Sequence, residues 1–174
     1  MQTVAVIGAG QMGAGIAQTV AQYGIQVLLS DVDLAHAEAG KATIDKGLTK
    51  LVGRGKIEPD QAEATLSRIT PVADFARLVD AALIIEAATE KEEIKKTIFE
   101  EAGKVLADGA IMASNTSSIP ITRMANYSPD PARFIGLHFF NPVPVMGLIE
   151  VIPGLATSQD TTEKTTAFAK GLGK

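Results

Sequence analysis

The chain contains two histidines, and they stand in different company. His36 lies early in a helical pattern among Ala35, Ala37 and Glu38, where a solvated surface imidazole is the simple reading. His138 follows the apolar run Phe134-Ile135-Gly136-Leu137 and precedes Phe139-Phe140-Asn141-Pro142, with Glu150 beyond a proline-rich stretch that can return the chain. A carboxylate beside an imidazole fixes its tautomer and favours its protonated form, which suits such a pair to general acid and base work. Spacing alone leaves two readings open, a catalytic dyad and a buried polar pair with a structural role.

A second constellation is Gly8-Ala9-Gly10-Gln11-Met12-Gly13. The G-x-G-x-x-G spacing is weak by itself, but here it follows the strand-like Val4-Ala5-Val6-Ile7 and opens a helical pattern, and Asp31 closes a second strand at about the 20-residue separation of a dinucleotide fingerprint. Gly8 then allows the tight turn, Gly10 the approach of main chain to a pyrophosphate, and Gly13 close packing of helix on sheet. The helix N-terminus offers free N–H groups and a positive dipole end to the phosphates. A carboxylate at Asp31 accepts hydrogen bonds from a ribose 2′-hydroxyl and repels a 2′-phosphate, and Val32-Asp33-Leu34 supplies no arginine, so NAD is favoured over NADP. Without a ligand role, Asp31 reads as a residue at the start of the next helix.

Ser114, Thr116, Ser117 and Ser118 follow the fifth strand, at the ligand-bearing edge of an open α/β sheet, although such a loop also bonds to itself and caps the next helix. Glu90 and Lys95 follow the fourth strand, where first-turn charge and a solvated helix face explain them without function.

The elements that position these residues come from periodicity. Short apolar runs alternate with helical patterns, the mark of βαβ units, and the unbroken apolar character of the first strand suits a parallel strand covered on both faces. Strands are predicted over 4–7, 26–30, 69–72 (an edge strand), 82–87, 110–113, 133–139 and 148–152. Helices are predicted over 11–23, 34–52, 59–67, 91–106, 121–124 and 160–171, with a brief one near 74–79. On the 91–106 helix, Ile94, Ile98, Phe99, Ala102, Val105 and Leu106 mark the buried face, with Glu92/Lys96 and Glu100/Lys104 as exposed i,i+4 pairs. The expected fold is α/β, a Rossmann-type doubly wound, mostly parallel sheet with helices on both faces.

Composition narrows the classes. The 174 residues suit one domain, and 46% hydrophobic with 21% charged residues supply a substantial core. A formal charge of −4 with no basic stripe argues against nucleic acid. Zero cysteines exclude disulfides, a thiolate nucleophile and Cys-built metal sites, and no metal is expected. No Lys or Arg precedes Lys41, so no leader is expected, and the run 81–88 with Glu86 inside it is too short to span a membrane. A cytoplasmic setting is the corresponding expectation.

Taken together, Gly8-Ala9-Gly10-Gln11-Met12-Gly13, Ile85-Glu86-Ala87, Ser114-Asn115-Thr116-Ser117-Ser118 and Gly136-Leu137-His138-Phe139-Phe140-Asn141-Pro142-Val143 resemble, in order, the NAD-binding domain of L-3-hydroxyacyl-CoA dehydrogenases. The resemblance covers essentially the whole chain, and the serine and histidine motifs are far more specific than the glycine turn. It implies that His138 is the catalytic acid/base, Glu150 its orienting partner and Ser117 a donor to the substrate oxygen. Met12, Asp31, Glu90, Lys95 and Asn141 would line the NAD site with Gly8, Gly10 and Gly13. The implied reaction is reversible oxidation of the 3-hydroxyl of an acyl-CoA, with stand-alone 3-hydroxybutyryl-CoA dehydrogenases as the nearest versions.

Family members also carry an all-helical domain that closes over the acyl-CoA, supplies an asparagine at the substrate and forms a homodimer. The resemblance therefore implies that residues 1–174 form the NAD-binding domain alone, which binds NAD but turns over poorly. Without the helical domain, an uncovered apolar face and self-association or contact with another chain are expected. A dehydrogenase of a sugar acid or other small hydroxy acid, and a non-catalytic NAD-binding module, remain alternative readings.

Overall fold

The computed structural model describes residues 1–174. The strands are β1 (Thr3–Ile7), β2 (Gln26–Ser30), β3 (Ile69–Val72), β4 (Leu83–Glu86), β5 (Ile111–Ser114), β6 (Phe134–Phe139) and β7 (Ile149–Pro153). The helices are α1 (Gln11–Gln22), α2 (Leu34–Gly53), α3 (Pro59–Ser67), α4 (Glu92–Gly103), α5 (Ile121–Met124) and α6 (Gln159–Gly171), with short 3-10 turns at Phe75–Asp80, Ala125–Tyr127 and Pro131–Arg133. All expected strands and helices form; the differences lie at their ends.

One seven-stranded sheet runs in the order β3-β2-β1-β4-β5-β6-β7. β1 to β6 pair in parallel and β7 is antiparallel to β6. The strand order reverses between β1 and β4, the switch point where an open α/β sheet makes its crevice beyond the carboxyl ends of the strands. β1 and β4 show no outward alternation of polar residues because both faces are covered. One core packs α1, α2, α3 and α6 against Val4, Val6, Leu83, Ile85 and Leu137, and the other packs α4 and α5 against Ala5, Ile84, Met112 and Phe134. Burying each Ile or Leu fully contributes about 1.5–3 kcal/mol, so these strands carry much of the core's stabilisation.

Two local readings of the sequence change. The i,i+4 pairs expected on α4 do not form as expected: Glu92 leaves its own helix to meet Arg123, and Lys104 pairs with Glu101 at 2.5 Å. Arg123 and Tyr127 together offer Glu92 three hydrogen bonds, more than one lysine on the same helix supplies. Ile94 is 46% exposed rather than buried, because the face of α4 on which it lies borders an open pocket instead of the sheet. No helix is long and apolar enough to cross a membrane.

Candidate active site

The residues singled out by chemistry come from strands and loops far apart in the chain and gather at the carboxyl edge of the sheet. β1 delivers the glycine turn. Gly8 has φ +103°, a conformation that disfavours any side chain, and a Cβ there would stand 2.6 Å from Ala88 Cα in the loop after β4. A Cβ on Gly13 would overlap the Gly8 carbonyl oxygen, so α1 can lie this close to the turn only with glycine there. At Gly10 an added Cβ would meet nothing within 4 Å, which leaves the outer side of the turn open. α1 starts there with no acidic residue in its first turn, and its first N–H groups lack helical partners. Beside it lies a cleft of about 400 Å³ bordered by Gly10, Gln11, Thr43, Asn141 and Pro142. These features fit a pyrophosphate.

Asp31, at the end of β2, accepts hydrogen bonds from Ala9 N–H to Oδ2 at 2.6 Å and from Val32 N–H to Oδ1 at 2.7 Å. It therefore braces the glycine turn while keeping a free lone pair on each oxygen. It is not the helix cap. That position belongs to Asp33, whose Oδ1 accepts from His36 N–H at 2.8 Å. Asp31 also borders a mainly apolar pocket of about 280 Å³ with Val32, Phe75, Ile94 and Ile98, dimensions and lining that fit an adenine base.

His36 is exposed and its Nδ1 lies 2.7 Å from Asp33 Oδ1. The hydrogen bond to Asp33, then its charge, raises the imidazole pKa above the usual 6.5, and the bonds to His36 lower that of Asp33. The raised His36 value means that its contribution is complete below the unfolded imidazole pKa and is lost as pH rises through the folded one, while the lowered Asp33 value means that its contribution is present above the unfolded carboxyl pKa and is lost as pH falls through the folded one. In an NMR titration the His36 midpoint is expected above 6.5, and Asp33→Asn, which retains a capping oxygen, is expected to lower it. An unmoved midpoint would break the assignment.

β6 and β7 deliver the dyad. Their antiparallel register sets His138 opposite Glu150, with Nδ1 at 2.7 Å from Glu150 Oε2. Because the carboxylate accepts there, the network assigns the proton to Nδ1 and leaves Nε2, which has no partner in the chain, as the free acceptor. His138 is 18% exposed and Glu150 49%, so the pair can be reached from outside the chain. Phe140 tilts against the imidazole at 4.5 Å between ring centroids.

The other expected residues take distinct places. Ser117 is exposed on the loop after β5 and its hydroxyl bonds to nothing in the chain. Glu90 is no solitary first-turn charge: its Oε2 accepts from Thr116 Oγ1 at 2.8 Å and Ser118 Oγ at 3.2 Å, the two residues flanking Ser117. Asn141 accepts from Gln11 Nε2 at 3.2 Å and so stands beside the first turn of α1. Met12 is half-buried and packs against the larger core.

Lys95 departs most from the solvated helix face. It is 1% exposed, and its Nζ donates to Glu86 Oε2 at 2.5 Å and to Ser114 Oγ at 3.3 Å. Ser114 Oγ donates to the same Glu86 oxygen at 2.8 Å, and Glu86 Oε1 accepts from Ala88 N–H at 2.9 Å. This buried cluster joins the ends of β4 and β5 to α4 and holds the loop against which Gly8 packs. Sequence reasoning misses Glu86 as a site residue; its available signal is a lone carboxylate at the end of an apolar strand, with a lysine near the start of the next helix. Nearby, Arg123 grips Glu92 through two bonds of 2.7 Å and Tyr127 donates to it at 3.0 Å, tying α5 to the start of α4. Burial pushes the Glu92 pKa up, but the bonds from Arg123 and Tyr127 outweigh it and hold it below the usual carboxylate value.

Over residues 3–174 the chain matches the family described as 3-hydroxyacyl-CoA dehydrogenase, NAD binding domain. It is 47% identical over 169 residues to a probable 3-hydroxybutyryl-CoA dehydrogenase of Deinococcus radiodurans, covering 97% of this chain and 60% of the relative. It is 46% identical over 174 residues to the 3-hydroxybutyryl-CoA dehydrogenase of Bradyrhizobium diazoefficiens, covering 100% of this chain and 59% of that one. Among solved structures, the (S)-3-hydroxybutyryl-CoA dehydrogenase from Ralstonia eutropha superposes with a TM-score of 0.97 at 41% identity, covering 100% of this chain and 62% of that one. The chain thus spans about three-fifths of the length of the curated relatives it matches.

Proposed function

Because the chain belongs to the 3-hydroxyacyl-CoA dehydrogenase family through its NAD-binding domain, we propose that it contributes the cofactor-binding and proton-handling part of an NAD-dependent, reversible L-3-hydroxyacyl-CoA dehydrogenase acting on short chains such as 3-hydroxybutyryl-CoA. The observation that carries this reading is the 2.7 Å contact of His138 with Glu150 at the same sheet edge as the glycine turn.

NAD, when bound, supplies the acceptor for the hydrogen leaving C3 of the substrate. The chain's own residues do the rest. His138 Nε2 takes the proton of the 3-hydroxyl as the C3 oxygen becomes a carbonyl, and in reverse the imidazolium returns that proton to the developing alkoxide. Glu150 keeps the second nitrogen protonated and offsets the charge that His138 gains. Ser117 is proposed to donate to the same substrate oxygen. Asp31 and Gly8, Gly10 and Gly13 are proposed to hold the ribose and pyrophosphate, with Met12, Glu90 and Asn141 around them and Lys95 acting from beneath through Glu86 and Ser114.

The reading is tested by titrating NADH and measuring acetoacetyl-CoA reduction, on the 174-residue chain and on its fusion to the part of the Ralstonia eutropha enzyme outside the match. Binding by both with turnover in the fusion supports a dehydrogenase; binding without turnover in either reduces the chain to a nucleotide-binding module. Asp31→Arg is expected to raise the Kd for NADH about 10–100-fold, the loss of charge-assisted hydrogen bonds to a ribose, and to move preference toward NADPH. An unchanged NADH/NADPH ratio in fluorescence titrations would remove Asp31 from this role.

A further inference from the structure

β6 outruns its parallel neighbour. Pairing between β5 and β6 ends at Ser114↔Gly136, after which Thr116 and Ser118 turn away to Glu90. β6 continues through His138 to Phe139, which is 1% exposed. The N–H of Phe139 therefore lies in the protein interior beyond the reach of the β5 main chain, where an unpaired donor is costly. Asn115 supplies the missing partner: its Oδ1 accepts from Phe139 N–H at 2.8 Å. The need for an acceptor there also assigns which end of the amide is oxygen. Asn115 is itself 9% exposed, and its own N–H donates to the Glu86 carbonyl at 2.8 Å. Asn115 thus carries the hydrogen-bonded ladder a step past the end of β5, its main chain bonded to the end of β4 and its side chain to the end of β6, directly after His138.

We infer that Asn115 is a positioning residue for His138: by holding the Phe139 N–H it fixes the end of β6 so that the imidazole stays in register with Glu150. On this side of β6 no backbone partner replaces it, and β7 restrains only the other side. The inference rests on the reading of His138 as the acid/base, and a small displacement of a positioned base is enough to slow the reaction severely.

The experiment compares Asn115→Leu, which removes the acceptor at similar volume, with Asn115→Asp, which keeps an acceptor oxygen. The readouts are hydrogen exchange at the Phe139 amide, the His138 Nδ1–H resonance in ¹⁵N-histidine spectra, NADH affinity, and turnover of the parent, alone and in the fusion. Asn115→Leu is expected to speed Phe139 exchange at least about tenfold, to broaden or abolish the Nδ1–H resonance, and to lower kcat at least about tenfold with NADH affinity little changed. Asn115→Asp is expected to restore Phe139 protection and most of kcat. Should Asn115→Leu fail to fold, Asn115→Ser, too short to reach Phe139, makes the same comparison. Unchanged exchange and resonance in the variants lacking the acceptor would overturn the inference, as would equal loss of NADH affinity and kcat with no rescue by aspartate. If the parent and its fusion bind NADH without turnover, the functional reading fails, while the Phe139 and His138 signals still decide the positioning role.

Discussion

Replacing His138 by glutamine is expected to lower turnover by about 10²–10⁴-fold, the usual contribution of a positioned acid/base, which corresponds to about 3–5 kcal/mol of transition-state stabilisation. Glutamine retains polarity and approximate size but cannot accept a proton from the substrate hydroxyl and carry it as a cation. NADH affinity is expected to stay near the parent value. The glycine turn joins β1 to α1 and Asp31 directly follows β2, while β4 and β5 stand between β1 and the dyad on β6 and β7. Stopped-flow turnover and fluorescence titration of the fusion protein separate the two quantities. Joint loss of binding and turnover would mark His138 as a structural residue and remove the basis of the proposed chemistry. Glu150→Gln is expected to lower turnover less, since Nε2 persists but loses the carboxylate that orients it and balances its charge.

The second large effect is on stability and comes from beneath the site. Lys95→Met leaves Glu86, which is fully buried, without its cation. Breaking one side of such a pair typically costs about 3–5 kcal/mol, and in a domain of this size that lowers Tm by roughly 10 °C. The double change Lys95→Met with Glu86→Gln removes both charges and is expected to recover a substantial part of the loss. Thermal unfolding of the parent, both single variants and the double variant measures the coupling directly. If Lys95→Met melts with the parent, the pair does not hold the structure. Because Glu86 Oε1 also accepts from Ala88 N–H, against whose Cα Gly8 packs, the single variant is also expected to weaken NADH binding.

Much of the frame is legible in the sequence because its signals are local. Strand 26–30, helix 59–67, strand 69–72 and helix 121–124 appear with the expected bounds, and the other elements differ by a few residues at their ends. Helix 34–53 starts where Asp33 can cap it, although sequence pattern puts Asp31 forward as the acidic residue at that helix start. Spacing leaves the pairing of His138 with Glu150 open; the β6–β7 register closes it by setting the two residues opposite one another. The periodicity of α4 gives the right face at Phe99 and Ala102 but not at Ile94. A 3.6-residue period reports which residues share a face, not whether sheet or open pocket lies opposite each of them.

What the sequence determined by itself is therefore the alternation of strands and helices, the glycine turn and the motifs that identify the family. Each arises from periodicity or from backbone sterics within a short stretch, and needs no knowledge of distant partners. The tertiary structure alone decided that Lys95 points inward to Glu86 and Ser114, that Glu90 receives the hydroxyls on either side of Ser117, and that Asn115 completes the end of β6. Residue type allows Lys95, Glu90 and Asn115 a solvated place as readily as a bonded one. Sheet order and register bring together groups 19, 26, 28 and 24 positions apart, and proximity in space then makes a polar side chain part of a network rather than part of the surface.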